Sequence, residues 1–297
     1  MSLNSIFRSA LHMLTPVRAA SSDKRDAARL RLIWNGSTFV TRGEAEGDVR
    51  AVALWDADKK KATWTGAKFC GANVVVAFDE SFSHCGMCEA PLGDTELSRE
   101  NALRYNLDQE GCAVSMEDAL ACSFSSDGIK HRAGHLLFAV SKSGLDQLAM
   151  AARGLGLRVE RAEPWAVCVA RGAMMRAGLT RGTGPEAVFV PGESNAWLYV
   201  FKEGDLQWMW TFEWGRSHWD DAARALHDTI ENFNDRVSIA SLVSLRIAHS
   251  ADDEAHALAA AKHLRSTVPW LDIDVLAAPG SGPSLTTFLA LEGLRHA

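Results

Sequence analysis

Between Glu186 and Gly215 the chain reads EAVFVPGESNAWLYVFKEGDLQWMWTFEWG: three apolar runs, AVFV, AWLYVF and QWMWTFEW, separated by PGESN and KEGD. The separators hold Pro, Gly, Asn and Asp, which favour reversals, and the runs are rich in β-branched and aromatic residues. The stretch therefore predicts three antiparallel strands in a meander. Alternation of Trp197, Tyr199 and Phe201, and of Trp208, Trp210, Phe212 and Trp214, predicts a sheet wet on one face at most. Just upstream, PWAVCVARGAMMRAG predicts a helix from about Pro164 to Gly178, apolar almost all round, with Pro164 in its first turn. Such a helix suits burial between two domains, so the meander opens the second of them.

The first half begins the same way. ARLRLIWN, STFVTRGE, VRAVALWD and KATWTG read as successive antiparallel strands, followed by a buried strand from Val74 to Phe78 and an extended segment ending at Pro91. A helix capped by Asp94 or Thr95 comes next, then strands over Cys112 to Phe124 and His135 to Val140. A helix from Ser143 to Leu155 follows, capped by Ser141 or Ser143, and then the strand LRVERAEP. Beyond Gly215 a long helix from about Asp220 to Ser238 precedes the strand SLRIAHS, the helix DDEAHALAAAKHLRS, the strand LDIDVL and a closing apolar helix, SLTTFLALEGLRH. No exact internal repeat exists, yet each half opens on a meander and then alternates strand with helix, which predicts an α/β fold.

A chain of 297 residues with 47% hydrophobic content supports two cores of ordinary size. Net charge is −6 with Lys and Arg scattered among acids, which argues against a nucleic-acid partner. Cys70, Cys85, Cys88, Cys112, Cys122 and Cys168 show no regular framework, which predicts a reducing, cytoplasmic compartment. No run approaches the roughly 20 apolar residues needed to cross a bilayer. At the start, Ile6, Phe7, Leu11 and Leu14 share one helical face, with Arg8 and Arg18 elsewhere. That segment reads as a frayed or docking helix, or one touching the membrane only peripherally.

Several segments resemble the PilM family. NVVVAFDESFSHCGMCEAPLGDTELSRENALRYNLDQEG is similar to the family's strand pair that ends at a proline and leads into an acid-capped helix. HLLFAVSKSGLDQLAMAARGLGLRVERAEPWAVCVARGA resembles its strand, helix, turn, strand and interdomain helix, AVFVPGESNAWLYVFKEGDLQWMWTFEWG its next sheet, and FLALEGLRH its closing helix. Related proteins include the cytoplasmic half of GspL and MshI. The resemblance implies an actin-like (ribonuclease H-like) two-domain fold. Residues 1–27 would form an N-terminal helix and linker, 28–180 a first domain with an inserted subdomain at about 92–130, and 181–297 a second domain whose C-terminal helix packs back. It implies a scaffold at the inner face of the cytoplasmic membrane, in a type IV pilus (MSHA-like) or type II secretion platform. The partner would be the cytoplasmic tail of a bitopic protein of PilN/GspM type, and a weak homodimer would be compatible with that role.

In the family the fold also binds ATP, which needs two hairpin turns whose N–H groups hold phosphates and whose aspartates manage the metal. Here the first turn offers Gly36 and Ser37 without an Asp. The second keeps Gly192, Ser194 and Asn195, with Val190 in the place of the acid. The adenosine loop reads AHSADDE. The expectation is no catalytic residue, no metal and no cofactor, with ATP and magnesium not favoured; the alternative is a nucleotide-binding ATPase of the actin and sugar kinase superfamily. Gly36, Ser37, Gly192, Ser194 and Asn195 remain vestigial phosphate-loop candidates, or plain turn residues.

Cys85-Gly-Met-Cys88 has dithiol spacing, but residues three apart on a strand point to opposite faces unless Gly86 bends it. His84 with this pair falls short of a four-ligand zinc site. Asp79 with Glu80, Glu117 with Asp118, Asp220 with Asp221, and Asp252, Asp253 and Glu254 are candidate bases without a nucleophile at matching spacing. Trp208, Trp210 and Trp214, beside Arg216, form a candidate partner surface, against core packing as the ordinary fate of Trp.

Overall fold

In a computed structural model, residues 29–43, 49–88, 95–109, 112, 114–126, 134–179, 184–214, 219–236, 242–278 and 285–296 are described. The predicted N-terminal helix lies outside them.

The first sheet contains β1 (Leu30–Trp34), β2 (Thr38–Arg42), β3 (Val49–Asp56), β4 (Lys61–Trp64), β5 (Asn73–Phe78) and β9 (Arg158–Pro164), in the order β4-β3-β2-β1-β5-β9. The first four form the predicted antiparallel meander, and β5 and β9 join β1 in parallel. The second sheet contains β10 (Glu186–Pro191), β11 (Asn195–Lys202), β12 (Asp205–Glu213), β13 (Ser244–His249) and β14 (Asp272–Ala277), in the order β12-β11-β10-β13-β14. Again a meander is antiparallel and two later strands run parallel to its first. Apart from the extra edge strand β4 of the first sheet, the two sheets share one strand order, a duplication the sequence carries as pattern without shared words.

A third, antiparallel sheet lies between β5 and β9 in the chain: β6 (Ser83–Cys88), β7 (Ala119–Ser126) and β8 (Gly134–Ser141), ordered β6-β8-β7, with α1 (Glu96–Gln109) against it. The strand expected from Cys112 starts later, at Ala119. Asp118 explains the difference, because the start of α2 (Lys142–Gly154) takes up its carboxylate, which accepts from Ser143 N at 2.9 Å and from the Ser141 hydroxyl. Ser141 itself caps α2, accepting from Gly144 N at 2.9 Å.

Strand alternation assigns the cores. On β5, Val75 and Ala77 face the central core while Val74, Val76 and Phe78 face that of the first half; on β11, Trp197, Tyr199 and Phe201 face the centre while Ala196, Leu198 and Val200 face the core under α4 (Trp219–Arg236) and α5 (Glu254–Thr267). The centre is occupied by α3 (Trp165–Ala177) and α6 (Leu285–Gly293), which follow the last parallel strand of each sheet. Pro164 precedes α3, and Gly178, at φ +68°, closes it in the left-handed region.

The two central helices touch backbone to backbone. A Cβ on Gly172 would collide with the Leu289 carbonyl, and a Cβ on Gly293 with the Cys168 carbonyl. Each glycine meets the carbonyl four residues before the other, so the crossing is reciprocal. Beside it, Glu163 pairs with Arg171 at 2.7 Å and with Arg161 at 3.0 Å, and Arg171 also donates to Gly293 O at 3.3 Å. Burial pushes the Glu163 carboxyl up, but the Arg171 and Arg161 charges hold it below the usual carboxylate range.

Candidate functional site: the cleft between the two halves

A cleft of about 1020 Å³ opens between the third sheet and the second. One wall is Asp79 to Ser81 and Ser83 to Met87, the β5–β6 connection and β6; the other is Trp208 to Thr211 and Glu213 of β12, with Asn195 and Trp197 of β11. Trp165 and Ala166, the start of α3, also line it.

The first predicted phosphate turn does not line this cleft. Asn35 Oδ1 accepts from Ser37 N at 3.2 Å and from Thr38 N at 2.8 Å, so the turn's own side chain takes the N–H groups an anion would need. Gly36, at φ +89°, lies beneath the Phe82 ring, whose nearest carbon stands 2.5 Å from where a Cβ would be. The second turn is covered in the same way. Gly192 N donates to Asn195 O at 2.8 Å, and the Trp197 ring comes within 2.8 Å of its Cβ position. Ser194 contributes its carbonyl to Trp214 N at 2.8 Å, leaving Asn195 as the one vestigial candidate on the cleft wall. Val190 is fully buried in the central core.

The Trp candidates divide. Trp208 and Trp210 line the cleft and stack with centroids 6.5 Å apart and planes 19° off parallel. Trp208 is only 6% exposed and Trp210 half-buried. Trp214 corrects the expectation of an outward surface: it is 8% exposed and packs edge-on against Phe189 and Trp219, because even-numbered residues of β12 face α4. Arg216 lies outside the described residues.

What the cleft does assemble is acidic. Asp79, Glu80 and Glu213 line it, Glu193 stands near Glu80, and among the described residues no Lys or Arg lines it. Glu80 keeps solvent access at the mouth. Desolvation by the walls, then the Asp79 charge and that of Glu193, push its pKa up, against the nearby Asn195 amide, which favours the charged form. Burial pushes the pKa of His84 down, and its Nε2 has no hydrogen-bond partner among the described residues. Tyr199, buried on the central-core face of β11, also has a hydroxyl without such a partner. The Asp79-Glu80 pair and His84 were visible in sequence as isolated residues; Glu213 carried no signal until β12 placed it opposite them.

The dithiol reading loses its geometric condition. β6 pairs with β8 in unbroken register from Ser83 to Cys88, so Gly86 introduces no bend, and Cys85 is buried in the central core. No three His, Cys, Asp or Glu side chains among the described residues form a metal-binding group. No described helix is long and apolar enough to cross a membrane.

No family model and no curated protein matches the chain. Among solved structures, it is similar to a PilM-PilN type IV pilus biogenesis complex, at 12% identity and TM-score 0.51, covering 90% of this chain and 98% of that one. A Bacteroides thetaiotaomicron protein of actin-like ATPase fold and unknown function gives 11% identity and TM-score 0.46 over 86% and 94%. The cytoplasmic domain of EpsL, an inner-membrane component of the Vibrio cholerae type II secretion system, gives 15% and 0.40 over 89% and 93%. At 12% identity the first of these speaks to fold alone, and with the repeated strand order and the central helix pair it gives the chain an actin-like fold.

Proposed function

We propose that this protein is a non-catalytic scaffold of a type IV pilus or type II secretion assembly platform, working at the cytoplasmic face of the inner membrane. Its partner is a bitopic membrane protein whose short cytoplasmic tail it holds, as the pairing named in the PilM-PilN complex suggests by analogy of fold.

One observation carries the non-catalytic part: both turns that would cradle phosphates are covered by aromatic rings, Phe82 over Gly36 and Trp197 over Gly192. A polyphosphate seated there would have to displace both rings, and on the cleft side it would face Asp79, Glu80 and Glu213 with no Lys or Arg among the described lining residues to offset them. The same cleft, walled by Trp, Met and acids, suits a polypeptide better than a nucleotide. The test is co-purification of the full chain with a bitopic protein encoded beside it. Retention that disappears when that protein's cytoplasmic tail is deleted supports the scaffold; retention indifferent to the tail contradicts it.

A further inference from the structure

We infer that the cleft takes a basic, extended segment, added as a strand to the free edge of β12. This rests on the scaffold reading and specifies the chemistry of what is held. β12 ends its sheet, with β11 on one side only. Asn195 lies opposite Glu213, and Trp214 N donates to Ser194 O, so the residues paired with β11 are the even-numbered ones. In an antiparallel ladder, groups that do not face one neighbour face the other way. The backbone N–H and C=O of Met209, Thr211 and Glu213 therefore point away from β11, and all three residues line the cleft. They have no hydrogen-bond partner among the described residues.

An edge of this kind inside a cleft is a template for one more strand. Charge complementarity selects that strand. Glu213 sits at one end of the edge, Asp79 and Glu80 face it from the other wall, and Glu193 is near, with no Lys or Arg among the described lining residues. Side chains of an added strand alternate, so a segment with Lys or Arg on one face and apolar residues on the other sets its cations against these acids. Its apolar face then lies along the Trp208 and Trp210 side of β12. Where nearest, the Cα atoms of β6 and β12 come within 8 Å, less than the roughly 9.6 Å that two strand spacings need. Entry of the segment thus sets the two walls farther apart and separates Glu80 from the Asn195 side chain.

The test titrates the full chain with a short synthetic peptide alternating lysine and valine, read by tryptophan fluorescence and calorimetry. Three controls accompany it: the glutamate–valine counterpart, the lysine–valine peptide N-methylated on alternate amides, and the Glu80→Lys/Glu213→Lys double variant. Saturable binding of the basic peptide alone, weakened about tenfold or more by N-methylation and by the double variant, is the result expected. Absence of basic-peptide binding, equal binding of the acidic peptide, or indifference to the double variant would overturn the charge assignment. Equal binding of the N-methylated peptide would overturn strand addition. Either failure leaves the tail-dependent co-purification standing, so the mode of binding and the scaffold role can fail separately.

Discussion

Two regions join the halves of this molecule, and they are built oppositely. At the crossing of α3 and α6 the halves are in direct contact: backbone meets backbone at Gly172 and Gly293, and Glu163 has both Arg171 and Arg161 within 3.0 Å. Across the cleft, like charges face one another, and the outer edge of β12 from Met209 to Glu213 has no partner among the described residues. The lesson is a division of labour. The side chains that hold the halves together are not those that line the cleft, although α3 serves both: Trp165 and Ala166 face the cleft, while Arg171 and Gly172 make the crossing.

The largest effect that would break this contrast is at Glu163. Glu163→Gln leaves Arg171 buried, 5% exposed, beside a neutral group, and is expected to cost about 3–5 kcal/mol. Chemical denaturation of the variant measures it, and a loss near zero would mean that the ion cluster does not hold the crossing. Next is Gly172→Ala, expected to cost about 1–3 kcal/mol or more because the methyl meets the Leu289 carbonyl, which is fixed by its own helix. The corresponding Gly293→Ala should cost a similar amount, since the contact is reciprocal.

A third prediction concerns pH. The folded Glu163 carboxyl titrates below its unfolded value of about 4.3. Its contribution is therefore complete above that value and is lost as the pH falls through the lower folded value. Thermal melts taken from neutral to acidic pH should show a loss in the wild type that Glu163→Gln lacks. The smallest effects belong to the cleft: Glu213→Gln, at an exposed position, should change stability by no more than about 0.5 kcal/mol while weakening the basic peptide. A stability loss as large as that of Gly172→Ala would make the cleft part of the structural joint and dissolve the contrast.

Much of the fold was legible because strands buried on both faces read as short continuous apolar runs, as in β5 and β11, and because Pro164 and Gly178 bracket α3 in plain view. The strand expected at Cys112 began late because Asp118 is claimed by a helix start distant in sequence, which local propensity does not register. The site was harder. Sequence counted glycines in two turns, but whether a turn can hold an anion depends on what covers it. Neither Phe82, 46 residues from Gly36, nor the orientation of Trp197 follows from spacing. Trp214 was misplaced for a related reason: alternation shows that two faces differ without showing which one α4 covers.

Calorimetry of the full chain with ATP and magnesium tests directly whether this cleft takes a nucleotide. The covered turns and uncompensated acids predict no binding heat and no phosphate release. Saturable micromolar binding, or steady release of phosphate, would contradict that expectation.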